Sequence, residues 1–145
     1  IVVMFICNHC PFVVHVIEQI VELANNYQNK HIGFIAISSN DVINYPDDSP
    51  EKMKLFAEKY SFPFPYLYDE SQEIAKAYDA ACTPDFSVFN RDLTCIYRGQ
   101  LDDARPGNEA PCNGKDLRKV LDYLLEEKTL DFEQKPSLGC NIKWK

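Results

Sequence analysis

Two continuous apolar runs separated by one amphipathic stretch constrain this chain more than any other feature. Residues 1–6 read IVVMFI and residues 32–37 read IGFIAI. Runs this short, with no alternation, suit strands covered on both faces. Between them the period changes. Val13, Val16, Ile17, Ile20, Ala24 and Tyr27 fall on one helical stripe, while Glu18, Glu22, Asn25, Asn26 and His15 fall opposite. Strand, helix, strand in this order predicts parallel strands joined by a right-handed crossover. The full 145 residues suit one domain with its own core.

The rest of the chain extends that unit. Residues 38–49 are polar and turn-rich, and Ser49-Pro50 opens a helix with proline at its first position. Met53, Phe56, Ala57 and Tyr60 form its buried stripe. Pro63-Phe64-Pro65 forces an extended path into a short strand over 66–68, and the aromatics at 62, 64, 66 and 68 read as its packing. Asp69 with Gln72 resembles a capping pair for a helix that buries Ile74, Ala75 and Tyr78. Thr83-Pro84 ends it. Residues 86–89 and 95–97 read as strands joined by Asn90-Arg91-Asp92, a hairpin. After a polar loop over 99–113, a last helix over 114–128 turns Leu117, Val120, Leu121 and Leu124 inward. Residues 129–145 form a tail without periodicity, anchored by Trp144. The order is that of an α/β sheet with helices on both faces, a single domain over 1–145.

Composition excludes several classes. With 46% apolar and 26% charged residues the chain is an ordinary globule. A formal charge of −7 repels phosphate backbones, so no nucleic-acid partner is expected. No apolar run approaches the roughly 18–20 residues needed to cross a bilayer, so no membrane partner is expected either. The chain opens on Ile1, inside an apolar run, and reads as part of a longer product that lacks its N-terminal portion.

The six cysteines are one tight pair, Cys7 and Cys10, and four singles, Cys82, Cys95, Cys112 and Cys140. That spacing is unlike a small disulfide scaffold. Cys7-x-x-Cys10 sits where the first strand gives way to the first helix, and α/β sites gather at the carboxyl ends of strands. A helix N-terminus carries about half a positive charge and unpaired N–H groups. Both favour a thiolate. His9 lies between the two sulfurs and can add a positive charge. One low-pKa attacker with a second sulfur nearby is what thiol–disulfide exchange requires. Zinc asks for about four ligands, and neither a second Cys-x-x-Cys nor paired histidines is present.

The chain is similar to the thioredoxin superfamily in its first strand, in Cys7-Asn8-His9-Cys10-Pro11-Phe12, in Thr83-Pro84 ahead of a hairpin, and in its closing helix. The helix and strand inserted before Thr83-Pro84 resemble the peroxiredoxin-like (AhpC/TSA) branch. Tyr45-Pro46-Asp47-Asp48-Ser49-Pro50, Tyr97-Arg98-Gly99-Gln100-Leu101-Asp102-Asp103 and Gly139-Cys140-Asn141-Ile142-Lys143-Trp144 extend the likeness to a bacterial group of thioredoxin-like proteins. The resemblance implies a thioredoxin-like fold: a central mixed β-sheet flanked by helices, with a helix–strand insertion before a cis-proline hairpin. It implies that Cys7 attacks, that Cys10 resolves, that Pro84 is cis against the pair, and that Thr83 exposes backbone groups to an extended substrate. In peroxiredoxins the peroxidatic cysteine stands in Pro-x-x-x-Thr-x-x-Cys. Matching it to Cys10 puts Cys7 at the threonine and Val3 at the proline. Both departures favour disulfide exchange over peroxide reduction.

The expected function is therefore a thiol–disulfide oxidoreductase with no cofactor and no metal. Its expected partners are a protein or small-molecule disulfide and an external thiol reductant, and relatives of this kind often form homodimers. One alternative is a thiol peroxidase using Cys10, with Cys7 or Cys140 resolving and Arg98 standing in for the peroxidatic arginine. The other is a metal-binding or redox-sensing module without turnover. Cys82, two residues before Pro84, and Cys140, in a tail long enough to fold back, are the candidates for additional redox thiols. Cys95 reads as core and Cys112 carries no assigned role. His15 and His31 read as surface, and Asp102, Asp103 and Arg105 as a solvated charged loop. Unpaired single cysteines point to a reducing, cytoplasmic setting.

Overall fold

Both continuous apolar runs lie in the middle of the sheet. The computed structural model describes residues 1–145. Strand β1 (Val2–Phe5) is buried at every position, and β2 (Phe34–Ser38) runs parallel to it with Val2 opposite Phe34. Helix α1 (Pro11–Gln28) joins them, with proline in its first turn. Its stripe buries Val13, Val16, Ile17, Ile20, Leu23, Ala24 and Tyr27. At roughly 1.5–3 kcal/mol for each large aliphatic side chain taken out of water, this face is the main tie between helix and sheet.

The chain then passes a 3-10 turn at Pro46–Asp48 into α2 (Pro50–Lys59), where the Ser49 side chain accepts from Lys52 N–H as an N-cap. Strand β3 (Tyr66–Tyr68) adds parallel to β2. Helix α3 (Glu73–Ala77) leads to a two-residue strand β4 (Cys82–Thr83). Strands β5 (Asp85–Phe89) and β6 (Cys95–Gly99) form the hairpin, β5 lying antiparallel to β1. Helix α4 (Lys115–Leu125) follows. The sheet order is β3-β2-β1-β5-β6, a mixed sheet in which β5 alone runs opposite to the other four strands. This is the α/β thioredoxin-like arrangement that the resemblance implied. No helix is long and apolar enough to cross a membrane.

Several expectations need correction. The tail is ordered: β7 (Cys140–Asn141) pairs antiparallel with β4. Trp144 does not anchor it, being 43% exposed; Ile142, 1% exposed, does. Helix α3 is only five residues long and buries Ala75 alone, leaving Ile74 exposed. Asp69 caps it, accepting from Ile74 and Ala75 N–H, whereas Gln72 reaches back to the Ser39 and Lys143 carbonyls. Cys95 is exposed, because a register shift between Val88 and Phe89 turns the start of the edge strand β6 out of the core. Asp102 is buried, and its carboxylate accepts from the backbone N–H groups of Ala104, Asn113 and Gly114, which ties the loop after β6 to the start of α4.

Candidate functional site

Helix α1 begins one residue after Cys10, at the carboxyl end of β1. Cys7 and Cys10 are both free thiols, 1% and 0% exposed. Pro11 stands at the first helical position and removes an N–H that had no partner there. Thr83 crosses above the pair. Its Oγ1 lies 3.6 Å from Cys7 Sγ, and its carbonyl oxygen lies 3.6 Å from Cys10 Sγ. The Thr83–Pro84 peptide bond is cis. The structure thus brings together Cys7, Cys10, Thr83 and Pro84, with Cys140 beside them. Thr83 forms a bridge with Cys140 across β4 and β7.

The electrostatics distinguish the two sulfurs. Cys10 is held low, at about 4, first by a hydrogen bond from the Cys7 thiol and then by donors from Cys140, the Val13 N–H and Thr83, against the cost of burial. Cys7 is pushed well above the ordinary thiol range by giving that hydrogen bond, by burial, and by the charge of Asp48. The surroundings therefore favour a thiolate on Cys10 and a protonated thiol on Cys7. Cys140 is pushed up to about 11 by burial and by its hydrogen bond to Cys10. Burial likewise raises Cys82, to about 11, and Cys112, to about 11.

Asp48 was not legible as a site residue, although its segment carried part of the resemblance. It is fully buried in the 3-10 turn. Its carboxylate accepts from Asn8 N–H at 2.8 Å and from Asn40 Nδ2 at 2.9 Å, and it lies 2.6 Å from His9 Nδ1. His9 thus faces Asp48 and stacks on Tyr45, with ring centroids 6.1 Å apart. Tyr66 donates to Asn8 Oδ1 at 2.8 Å, which closes the wall on the β3 side. A run of polar residues in a loop gives no periodic signal, so only the fold shows that Asp48 turns inward.

The donor atoms of Cys7, His9 and Asp48 lie within 4.8 Å of one another, a group that does not include Cys10. Three donors fall short of a closed zinc site, and both Asp48 oxygens are already engaged. Arg98 is held by Asp79 and Asp85, with its Nη2 3.3 Å from Asp85 Oδ2, and it also donates to the Asp79 carbonyl. Cys112 lies against the His15 carbonyl of α1.

No curated protein matches the chain. A solved structure of an uncharacterised conserved protein from Geobacillus kaustophilus is 62% identical, with a TM-score of 0.97, and the match covers 99% of this chain and 76% of that one. A hypothetical protein from Sinorhizobium meliloti 1021 is 45% identical at a TM-score of 0.98, covering 99% and 79%. A secreted Mycobacterium tuberculosis disulfide oxidoreductase homologous to E. coli DsbE is 20% identical at a TM-score of 0.62, covering 85% of this chain and 80% of that one, a likeness of fold. The Redoxin family matches residues 1–115, the span from β1 to the start of α4, and the chain belongs to that family.

Proposed function

We propose that this protein is a thiol–disulfide oxidoreductase whose Cys7 and Cys10 alternate between dithiol and disulfide. One observation carries the reading: two free, buried thiols meet at a helix N-terminus beneath Thr83, whose hydroxyl and carbonyl oxygens each lie 3.6 Å from one of them. Thiolate is the attacking form, and the neighbouring thiol releases the mixed disulfide. The family resemblance gives the attack to Cys7 and the release to Cys10. The charge at rest favours Cys10, and one proton moving along the S–H···S bond exchanges the roles. Thr83 donates its hydroxyl to whichever sulfur is charged. The electrons come from an external thiol, and the substrate is a protein or small-molecule disulfide. The exposed Cys95 thiol supports action in a reducing compartment such as the cytoplasm.

The test is insulin reduction with an external thiol, for the wild type and for the Cys7→Ser and Cys10→Ser variants. Turnover that disappears in both variants is expected. Turnover that survives in both would remove the pair from the reaction. A second reading, thiol peroxidase, is favoured by the stabilised Cys10 thiolate with a thiol on either side of it. Stopped-flow consumption of hydrogen peroxide separates the two. A rate no faster than that of an ordinary thiol leaves disulfide exchange as the activity.

A further inference from the structure

The tail covers the Thr83 side of the two sulfurs. Cys7 and Cys10 are 1% and 0% exposed, and β7 lies across Thr83 directly above them. The approach is unusually close. A Cβ on Gly139 would collide with the Thr83 carbonyl, so only glycine lets the tail pass. Beyond Cys140 the tail is pinned. Ile142 N–H donates to the Ala81 carbonyl, Lys143 N–H to Asn40 Oδ1, and Lys145 N–H to Gln72 Oε1. Directly paired residues in an antiparallel ribbon send their side chains to the same face. Thr83 turns its hydroxyl to the sulfurs, and Cys140, its cross-strand partner, turns its thiol there too. Cys140 reaches Cys10 as a hydrogen-bond donor while staying half-buried rather than sealed.

We propose that Cys140 is a third redox-active thiol, which takes the disulfide from the buried pair and presents it at the tail. This rests on the reading that Cys7 and Cys10 form a disulfide. In the exchange, Cys140 loses its proton and attacks Cys10 Sγ. The Cys10–Cys140 bond forms and the Cys7–Cys10 bond breaks. The electron pair leaves on Cys7, which takes up the proton. One thiol and one disulfide become one thiol and one disulfide, so the bond has moved and the number of electrons is unchanged. An external thiol then attacks Cys140, and Cys10 departs. Cys10 is the better leaving group of the two because neighbouring donors stabilise its thiolate. A second molecule of external thiol frees Cys140 and completes the reduction.

The experiment oxidises the full chain with oxidised glutathione and maps disulfides by peptide mass without reduction. The wild type is expected to give a Cys7–Cys10 peptide, and folded Cys7→Ser is expected to give a Cys10–Cys140 peptide. Absence of the first overturns the dithiol reading. Presence of the first, with Cys10 of Cys7→Ser carrying glutathione and Cys140 free, overturns the third thiol. Cys140→Ser gives an independent measure that leaves the Cys7–Cys10 pair intact. Reduction of its oxidised form by glutathione is expected to slow tenfold or more, and an unchanged rate would also overturn the proposal.

Discussion

The buried carboxylate of Asp48 opposes a negative charge on Cys7. The same carboxylate accepts from Asn8 and Asn40 and faces His9, so it fixes the loop after β2 against the start of α1. Asp48→Asn removes the charge and leaves one acceptor. In a Cys10→Ser background, where Cys7 titrates alone, its thiolate absorbance should appear at lower pH than in the same background with Asp48 intact. The unpaired donors should cost roughly 1–3 kcal/mol in denaturant unfolding. A Cys7 titration that does not move would show that Asp48 has no electrostatic hold on this sulfur.

The donors around Cys10 pull its thiol well below the ordinary range and favour the resting charge there. In Cys7→Ser the hydroxyl can still donate where the thiol did, and Val13 N–H and Cys140 remain. Iodoacetamide at mildly acidic pH should therefore still label Cys10 in Cys7→Ser. It should label Cys7 in Cys10→Ser more slowly, because burial and the charge of Asp48 still oppose a thiolate there after the hydrogen bond to Cys10 is gone. The opposite pattern in peptide mass maps would give the resting thiolate to Cys7, the order the family resemblance implies.

The charge on Cys10 also sets a pH dependence of stability. Its folded value, about 4, is depressed from the ordinary thiol value of 9.0. Between those limits the unfolded chain holds a proton that the native chain does not, so stability rises with pH across the window. The contribution is fully present above the unfolded value and is lost as pH falls toward the folded one. The melting temperature of the reduced wild type, minus that of Cys10→Ser, should therefore grow from pH 5 toward pH 8. A flat difference would mean that Cys10 is protonated in the native state.

What was legible in the sequence follows its periodic signals. The unalternated runs at 1–6 and 32–37 became β1 and β2, and the stripe from Val13 to Tyr27 became the buried face of α1, because one burial geometry repeats along each segment. The Cys7/Cys10 pair was legible because its position at a strand–helix junction is itself local. Asp48 was not. It is buried by a turn whose neighbours come from β1 and α1, and a polar loop residue looks the same whether it turns in or out. Ile74 and Cys95 failed for the converse reason: an apolar residue in a short or bulged element has no second turn or paired strand to hold it inside. The tail was read as aperiodic, and so it is. Its placement depends on the close pass of Gly139 by the Thr83 carbonyl, on the buried Ile142 side chain, and on hydrogen bonds from the tail backbone to Ala81, Asn40 and Gln72.

That dependence makes the tail separable from the rest of the fold. Ile142 is buried in the smaller apolar cluster with Val3, Phe5, Ile37, Ala75 and Ala80. Ile142→Ala removes its packing at a cost of roughly 2–5 kcal/mol. If the chain unfolds as one unit, that loss appears in the global midpoint. If the tail opens first, it appears as access to the sulfurs while the five-stranded sheet stays folded. The second outcome is expected, because β7 holds only two residues and its strand pairing is with the two-residue β4 rather than with a strand of the main sheet. Alkylation of Cys10 in Ile142→Ala should then run at least tenfold faster than in the wild type at the same pH, with an unchanged circular dichroism spectrum. Gly139→Ala should do the same through the collision with Thr83. Equal alkylation rates in all three proteins would show that the tail does not limit access to the pair.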